Sequence, residues 1–462
     1  MAVATTKPIA VAAPGRVLVL GLGRSGRAAV GAALRRGITV LATDDSGEAC
    51  EQAEMVAPEG AVARLGEVDA LVVSPGAPAD HPLMLAALDR GVEVISELEF
   101  AWRLLGPAPL YAVTGTNGKS TTTALLGHVF GSCGRKVFTG GNLGTPLSDA
   151  VVTAGKDEQP WDCYVVEVSS FQLERVSGFA PDLAVLLNLT PDHLDRHGTM
   201  QDYLAAKLAV FARARHSVIG RDQDWPQRAR ADGCGGVPDP SAADCSSFGR
   251  SPLPAGDGGV CWQAEGRTVT AADGWTVKLP DHWPRVAHDF ENAAAAALLA
   301  RLAGLSGQQF EQALSSFEPL PHRLVSVGVG HGIEFWNDSK ATNTGSVLSS
   351  VAALDRELVL LMGGVDKGAD FSEVASSGAR IKTVIAFGAA AGRIDDDLQG
   401  SLRVVRAAGL EEAFSVAVEE AEAGDAVLLA PGCASFDEFA DYAERGRRFE
   451  QLARGWVAGI GR

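Results

Sequence analysis

Residues 110–130 read LYAVTGTNGKSTTTALLGHVF, and this stretch decides the fold around it. An apolar run leads into a turn with two glycines, and a helical pattern of apolar residues follows. Glycines let several backbone N–H groups point inward, and the next helix presents the positive end of its dipole. Lys119 adds a full charge, and Ser120 can ligate magnesium. The stretch predicts a cradle for the phosphates of a nucleoside triphosphate, formed by Gly115, Thr116, Asn117, Gly118, Lys119, Ser120 and Thr121.

The cradle departs from the common pattern G-x-x-x-x-G-K-[ST], because only Thr116 and Asn117 separate its two glycines. A purely structural glycine turn with a solvated lysine is the alternative. The phosphate site is favoured, since a strand, the glycines, Gly-Lys-Ser-Thr and a helix follow one another in the required order.

Composition limits the class of protein. The 462 residues suggest about three domains, and a net charge of -17 argues against a nucleic-acid-binding surface. The seven cysteines are scattered without a C-x-x-C pair, which argues against a disulfide scaffold and a zinc site. Residues 1–15 suggest a disordered lead rather than a signal peptide, and no stretch approaches the roughly 20 apolar residues of a membrane span. We expect a cytoplasmic protein without a membrane partner.

A second phosphate motif lies near the start of the chain. An apolar run at 16–20 precedes Gly-Leu-Gly-Arg-Ser-Gly at 21–26, a literal G-x-G-x-x-G, and Asp44 and Asp45 follow some 20 positions later. This pattern is typical of a pyrophosphate site at a helix N-terminus. NAD, a UDP-sugar and a purely structural turn all stay open at this point.

Polar residues also follow the predicted strands of the central region. Glu167 ends one buried strand, and Asp192-His-Leu-Asp195 follows the next, at the edge where α/β sheets place their ligands. A buried carboxylate requires a cation, which magnesium beside a triphosphate would supply, although a capping or salt-bridged glutamate is the alternative. Helical spacing alone indicates that Lys207 is a snorkelling lysine. Asn292 could contact a base or cap a helix.

The remaining pattern predicts three α/β domains, at residues 1–106, 107–319 and 320–462. Residues 221–285 are rich in Gly, Pro, Asp and Trp and predict turns and small strands at the edge of the second domain. Strands alternate with helices again after residue 320, and the chain ends in a charged amphipathic helix.

Several runs occur in the order found in the ATP-dependent Mur ligases of peptidoglycan synthesis. They include the cradle at 115–121, Glu-Val-Ser-Ser at 167–170, Asp-His-Leu-Asp at 192–195, Tyr203 to Lys207 and His322-Arg323. Asn-Asp-Ser-Lys-Ala-Thr-Asn at 337–343 and Cys-Ala-Ser-Phe-Asp-Glu-Phe at 433–439 resemble the members that add D-glutamate to UDP-N-acetylmuramoyl-L-alanine. The resemblance covers all three domains. It implies a Rossmann-like N-terminal domain, a central P-loop ATPase-type parallel sheet and a Rossmann-like C-terminal domain.

The resemblance also implies roles for individual residues. The UDP-substrate would contact Ser25, Asp44, Asp45, Ser74, Gly76 and, beyond the diphosphate, Asn142. Two magnesium ions would be held by Ser120, Glu167, His193 and a carbamylated Lys207, which with Lys119 form the expected catalytic set. ATP would contact the cradle together with Asn292, Arg323 and Asp338. D-glutamate would be framed by Lys340, Thr342, Lys367, Ser435, Phe436 and Tyr442.

The implied reaction is two-step amide formation through an acyl phosphate, by a monomer without a nucleic-acid partner. A NAD-dependent oxidoreductase and a non-catalytic nucleotide-binding regulator are the competing functions. The second cradle at Lys119 argues against the oxidoreductase, and a regulator would not need Glu167, His193 and Lys207 around a triphosphate.

Overall fold

A computed structural model describes residues 11–154, 160–281, 283, 287–377 and 380–459. Most of the expected disordered lead at residues 1–15 lies outside these ranges. The described chain forms three sheets in two compact units, residues up to 189 with 201–317, and residues 190–200 with those from 318 onward. None of its helices is long and apolar enough to cross a membrane.

The first sheet lies near the start of the first unit. Its strands are β1 (Arg16–Leu20), β2 (Thr39–Thr43), β3 (Glu54–Met55), β4 (Ala70–Val73) and β5 (Glu93–Ser96). They are parallel in the order β3-β2-β1-β4-β5, the order of the first five strands of a dinucleotide-binding fold. The associated helices are α1 (Arg24–Arg35), α2 (Pro58–Arg64), α3 (Pro82–Asp89) and α4 (Glu97–Leu104), with a 3₁₀ turn at Leu65–Glu67.

The second sheet has nine strands. They are β6 (Leu110–Thr114), β7 (Val137–Gly141), β8 (Cys163–Glu167), β9 (Leu183–Leu186), β10 (His216–Gly220), β11 (Cys245–Gly249), β12 (Val260–Gln263), β13 (Thr268–Ala271) and β14 (Thr276–Lys278). The order is β14-β13-β12-β11-β10-β9-β6-β8-β7, and the pairing is parallel except between β12 and β13 and between β13 and β14 at one edge. The prediction of small edge strands within 221–285 is therefore confirmed.

The helices of the central region connect these strands. They are α5 (Lys119–Ser132), α6 (Leu147–Thr153), α7 (Ser170–Leu173), α8 (Leu194–His197), α9 (Met200–Leu208), α10 (Trp225–Ala231), α11 (Ala287–Leu302) and α12 (Gly307–Leu314), with a 3₁₀ turn at Ala209–Phe211. Helix α8 belongs to the second unit. Helix α10, inside the stretch expected to hold only turns and strands, was missed from the sequence.

The first two predicted domains share one apolar core. Ala29 and Ala33 of α1 belong to the same buried cluster as Ala150 and Val151 of α6. Arg36 also donates to the Leu104 carbonyl at 2.9 Å, beside the predicted domain boundary. The boundary at residue 106 stays a prediction.

The third sheet forms the second unit. Its strands are β15 (Val325–Gly330), β16 (Ile333–Asn337), β17 (Leu358–Gly363), β18 (Ile381–Phe387), β19 (Val404–Ala407) and β20 (Ala426–Gly432). The order is β15-β16-β20-β17-β18-β19, with antiparallel pairing only between β15 and β16. The helices are α13 (Thr344–Ala352), α14 (Ser372–Ala375), α15 (Ala391–Leu398), α16 (Leu410–Glu420) and α17 (Tyr442–Val457). Strands buried on both faces explain the near-continuous apolar runs at 358–362 and 426–430.

Candidate active site

The loop between β6 and α5 requires glycine at two positions. Gly118 has φ 82° and Gly115 has φ 151°, both in the region that favours glycine. A Cβ at 118 would lie 2.1 Å from Oδ1 of Asn292, and one at 115 would lie 3.0 Å from Cβ of Leu187. The shortened loop is therefore closely packed from outside.

A neighbouring strand end holds this loop in place. The backbone N–H of Asn117 donates to Oδ1 of Asn188 at 2.8 Å, and Nδ2 of Asn188 donates to the Asn117 carbonyl at 3.1 Å. The Thr116 N–H donates to the Asn188 carbonyl at 3.0 Å. Asn188, which the sequence did not single out, thus fixes both residues between the two glycines.

Two lysines meet at one carbonyl oxygen of the loop. Nζ of Lys119 donates to the Gly115 carbonyl at 2.9 Å, and Nζ of Lys207 donates to the same oxygen at 2.8 Å. Lys207 is only 1% exposed, and its Nζ lies 4.6 Å from the centre of the Tyr203 ring. Its helical spacing predicted snorkelling, which is wrong, because the side chain turns inward to the phosphate loop.

Glu167 lies beside the cradle at the end of β8. Strands β6 and β8 are parallel, and Glu167 pairs with Val113, two residues before Gly115. Its carboxylate is buried and accepts a hydrogen bond from Nδ2 of Asn142 at 2.8 Å. Ser120, in the first turn of α5, is also buried. These oxygen ligands suit magnesium, although no group of three His, Cys, Asp or Glu in the described ranges forms a metal site by itself.

Asn292 also packs against the cradle. It lies in α11, five residues after the helix begins, so the alternative prediction of a helix cap is wrong. The side chain is buried, and its Oδ1 accepts from the Thr122 hydroxyl at 3.4 Å as well as bordering Gly118. It therefore couples α11 to the loop.

Asp44 holds the N-terminal glycine loop, residues 21–26, in place through hydrogen bonds. Asp44 accepts hydrogen bonds from the backbone N–H of Leu22 at 2.6 Å and of Ser46 at 2.9 Å. Burial alone would raise the pKa of Asp44, but its hydrogen bonds, chiefly from the Ser46 hydroxyl, hold it below the ordinary value. Asp45 is different, since its exposed carboxylate lies 2.8 Å from Nε2 of His81. Asp44 thus shapes the loop, while Asp45 faces outward.

The other residues predicted for the UDP-substrate lie around this loop. The Ser74 hydroxyl donates to the Gly21 carbonyl at 2.8 Å. Ser25 is in the first turn of α1 and half-buried, and Gly76 is exposed in the loop after β4. Asn142 is exposed after β7.

The second unit holds the remaining predicted residues. Nζ of Lys367 lies 3.8 Å from Oδ1 of Asp192, and Nδ2 of Asn343 donates to the other Asp192 oxygen at 3.1 Å. His193 directly follows Asp192 in the sequence and has φ 55°. The loop that carries Lys367 is therefore close to the predicted magnesium ligand within this unit.

The residues expected around D-glutamate occupy three loops of the third sheet and the first position of α17. Nζ of Lys340 lies 3.9 Å from the centre of the Tyr442 ring. Asp338, expected at the ATP ribose, accepts a short hydrogen bond from the Ser350 hydroxyl. Arg323 and Thr342 are half-buried. Ser435 is buried, whereas Phe436 is 73% exposed.

Three family models match successive parts of the chain. They describe a Mur ligase MurD-like N-terminal domain over residues 15–96, a Mur ligase middle domain over 113–235 and a Mur ligase glutamate ligase domain over 322–433. The UDP-N-acetylmuramoylalanine–D-glutamate ligase of Syntrophus aciditrophicus (strain SB) is 38% identical over 456 residues, covering 96% of this chain and 98% of that protein. That of Anaeromyxobacter dehalogenans (strain 2CP-C) is 40% identical over 464 residues, covering 95% and 97%.

The chain therefore belongs to the Mur ligase family. Within that family it is similar over nearly its whole length to the D-glutamate ligases, known as MurD.

Solved structures agree on the fold. The MurF ligase of Thermotoga maritima in complex with ADP has a TM-score of 0.57 at 18% identity and covers 96% of each chain. A pseudomurein peptide ligase type C from Methanothermus fervidus has a TM-score of 0.59 at 17% identity, covering 96% of this chain and 100% of that one. The predicted class of three α/β domains is confirmed.

Proposed function

We propose that this chain is the cytoplasmic, ATP-dependent ligase that joins D-glutamate to UDP-N-acetylmuramoyl-L-alanine in peptidoglycan precursor synthesis. The observation that carries this proposal is the similarity, at 38% and 40% identity over at least 95% of both chains, to two proteins named for that reaction. Family models for an N-terminal MurD-like domain and a glutamate ligase domain support the same assignment.

The first step joins two anions. An oxygen of the alanyl carboxylate attacks the γ-phosphorus of ATP, a new P–O bond forms, and the bond to the β-phosphate oxygen breaks to release ADP. Most of the protein's contribution is charge neutralisation, because substrate and nucleotide repel each other. Lys119, the backbone N–H groups after Gly115 and the N-terminus of α5 provide positive charge at the cradle.

Magnesium fits the oxygen ligands beside the cradle. Ser120 and Glu167 would hold one ion at the triphosphate, while His193 and a carbamylated Lys207 would hold a second. Bound magnesium withdraws negative charge from the phosphoryl oxygens. The place of Glu167, buried at the end of β8 beside the cradle, supports this assignment. The position of Lys207 supports its assignment, because its side chain is buried and its Nζ lies at the Gly115 carbonyl of the phosphate loop.

The second step forms the amide. The amine of D-glutamate attacks the carbonyl carbon of the acyl phosphate, the C–N bond forms, the amine loses a proton and inorganic phosphate leaves. Lys340 and Lys367 are the natural partners of the two glutamate carboxylates. Thr342, Ser435, Phe436 and Tyr442 would frame the rest of the amino acid.

The test is phosphate release from ATP in the presence of UDP-N-acetylmuramoyl-L-alanine, with L-alanine, D-glutamate, L-glutamate or a diamino acid added in turn. We expect turnover only with D-glutamate. Turnover with a different amino acid would change the substrate, and NAD-dependent hydride transfer would replace the function altogether. A Lys119→Ala variant serves as the matched inactive enzyme and should lose on the order of 100-fold or more in turnover.

A further inference from the structure

A fully buried arginine connects the loops of the third sheet that carry the predicted D-glutamate residues. Arg445 lies in the first turn of α17 and is 0% exposed. Its Nε donates to the Ser339 hydroxyl at 3.0 Å, and Nη2 donates to the Ser339 carbonyl at 2.9 Å and the Cys433 carbonyl at 3.1 Å. Its Nη1 donates to the Gly363 carbonyl at 3.3 Å.

These acceptors lie at the carboxyl ends of three neighbouring strands. Strands β16, β20 and β17 are adjacent and parallel, and they end at Asn337, Gly432 and Gly363. Ser339 lies two residues after the first end, and Cys433 directly follows the second. One guanidinium group therefore joins the carboxyl ends of three strands, the edge where ligands of α/β sheets bind.

Each of the three connected loops carries residues expected at D-glutamate. Lys340 and Thr342 follow Ser339, Lys367 follows Gly363, and Ser435 and Phe436 follow Cys433. The last two loops are also joined by reciprocal hydrogen bonds between Val365 and Ala434 at 2.8 and 2.9 Å.

Gly364 leaves room for the Arg445 guanidinium. Gly364 has φ 125°, and a Cβ there would lie 2.0 Å from the Ala434 carbonyl oxygen and 3.1 Å from Nη1 of Arg445. Within the described part of the chain, Arg445 forms no ion pair with a carboxylate. Burial lowers the pKa of Arg445 to about 10, with Cys433, Asp437 and Glu438 opposing the change, so the group stays charged at neutral pH.

A buried charge whose hydrogen-bond acceptors are all neutral lowers the stability of the protein. The planar guanidinium can donate in several fixed directions at once, which a lysine cannot do. We propose that Arg445 is a positioning residue that holds the three loops in register for D-glutamate, an inference that rests on the proposed function. It acts through those loops and not by contact with the reacting atoms.

The experiment compares steady-state kinetics of Arg445→Lys and Arg445→Met with the wild type. We expect KM for D-glutamate to rise by about tenfold or more in both variants, because misplacement of about 1 Å in a binding group can cost up to 100-fold. KM for the UDP-substrate, whose predicted residues lie in the other compact unit, should stay within about twofold. ATP is a poor comparison, since Asp338 adjoins Ser339.

Two further variants separate positioning from general stability. Ser339→Ala removes one acceptor and keeps the backbone carbonyl, so it should fold and raise KM for D-glutamate by a few-fold. Arg221→Lys is the matched control. Arg221 also donates to neutral acceptors from several segments, the carbonyls of Gly249, Ser251 and Val260 and the Ser247 hydroxyl, but in the first unit. It should lower stability without changing KM for D-glutamate.

The outcomes distinguish this inference from the proposed function. If the wild type fails to use D-glutamate, both are wrong. If the wild type uses it and Arg445→Lys behaves like wild type, or both KM values rise equally, only the positioning role is wrong. Unaltered D-glutamate kinetics in a folded Ser339→Ala variant would also count against it.

Discussion

Replacing Glu97 with glutamine should stabilise the protein at alkaline pH. Glu97 opens α4 and is 1% exposed. Its Oε1 accepts a hydrogen bond from the Ser148 backbone N–H at 2.7 Å, while Oε2 has no hydrogen-bond partner among the described residues. Burial, with a smaller contribution from the negative charge of Asp149, raises the pKa of Glu97 to about 7 despite the hydrogen bonds of Ser148.

The size of the effect follows from the two pKa values of Glu97. The carboxyl binds its proton more tightly in the folded state, at about 7, than at the ordinary value of 4.5. Its stabilising contribution is therefore complete below pH 4.5 and is lost as the pH rises through 7. The difference corresponds to roughly 3 kcal/mol in the free energy of unfolding. Glutamine keeps an oxygen for the Ser148 N–H and never acquires the charge.

The assay is urea unfolding of both proteins at pH 4.5, 7 and 8.5, followed by tryptophan fluorescence, to which buried Trp102 of the same helix contributes. The advantage of Glu97→Gln should begin above pH 4.5 and level off above pH 7 at about 3 kcal/mol. Taking the difference between the two proteins cancels the titration of every other group that they share.

Glu99, two residues further along α4, is the control. It is equally buried, but it pairs with Nε of Arg103 at 2.8 Å and accepts from the backbone N–H groups of Gly178 at 3.0 Å and Phe179 at 2.8 Å. Glu99→Gln removes one of the two carboxylates that pair with the buried guanidinium of Arg103, the other being Glu93 at 2.6 Å, so it should destabilise by about 1–3 kcal/mol. The reasoning is refuted if Glu97→Gln has no advantage at pH 8.5, or an advantage that does not change with pH.

Two further predictions concern the cradle. Gly118→Ala should raise KM for ATP by about tenfold or more, because a Cβ at φ 82° would overlap Asn292. Gly134 has the same φ of 82° but open space around it, so Gly134→Ala should lower stability by about 1–2 kcal/mol and leave KM unchanged. Equal KM values for ATP in the two variants would contradict this prediction. Lys207→Ala should be nearly inactive in the phosphate-release assay and partly rescued by short-chain carboxylic acids, and a fully active variant would rule out the carbamate.

Local features made the cradle predictable. The strand, the glycine turn and the helix of residues 110–132 depend on periodicity and on backbone conformation within a few residues, which sequence records directly. The contacts that hold the loop are different. Asn188 and Lys207 reach it from 71 and 92 positions away, and nothing in their immediate neighbourhood distinguishes them from a loop asparagine and a helix-surface lysine.

Buried charges were the largest gap in the prediction. Glu97, Glu99 and Arg445 lie in sequences that read as ordinary charged helices, yet each is at most 1% exposed. One signal was present for Arg445, because it precedes Phe449 and Ala453 by four and eight positions and so shares their buried stripe. Position on the stripe indicates burial, but the acceptors that make burial tolerable come from distant strands.

The charge at position 207 decides how the cradle works. Lys119 and Lys207 both donate to the Gly115 carbonyl, at 2.9 and 2.8 Å, so their nitrogens are less than about 6 Å apart. Two ammonium groups at that distance repel each other by about 3 kcal/mol at an effective dielectric constant of about 20. A bound triphosphate would offset this repulsion, and carbamylation of Lys207 would convert it into attraction. The two cases predict different results for Lys207→Ala. If the unmodified lysine is the active form, small amines should rescue the variant; if the carbamate is, small carboxylic acids should. Rescue by an anion at a position where the unmodified residue is a cation would therefore identify the carbamate by the sign of its charge.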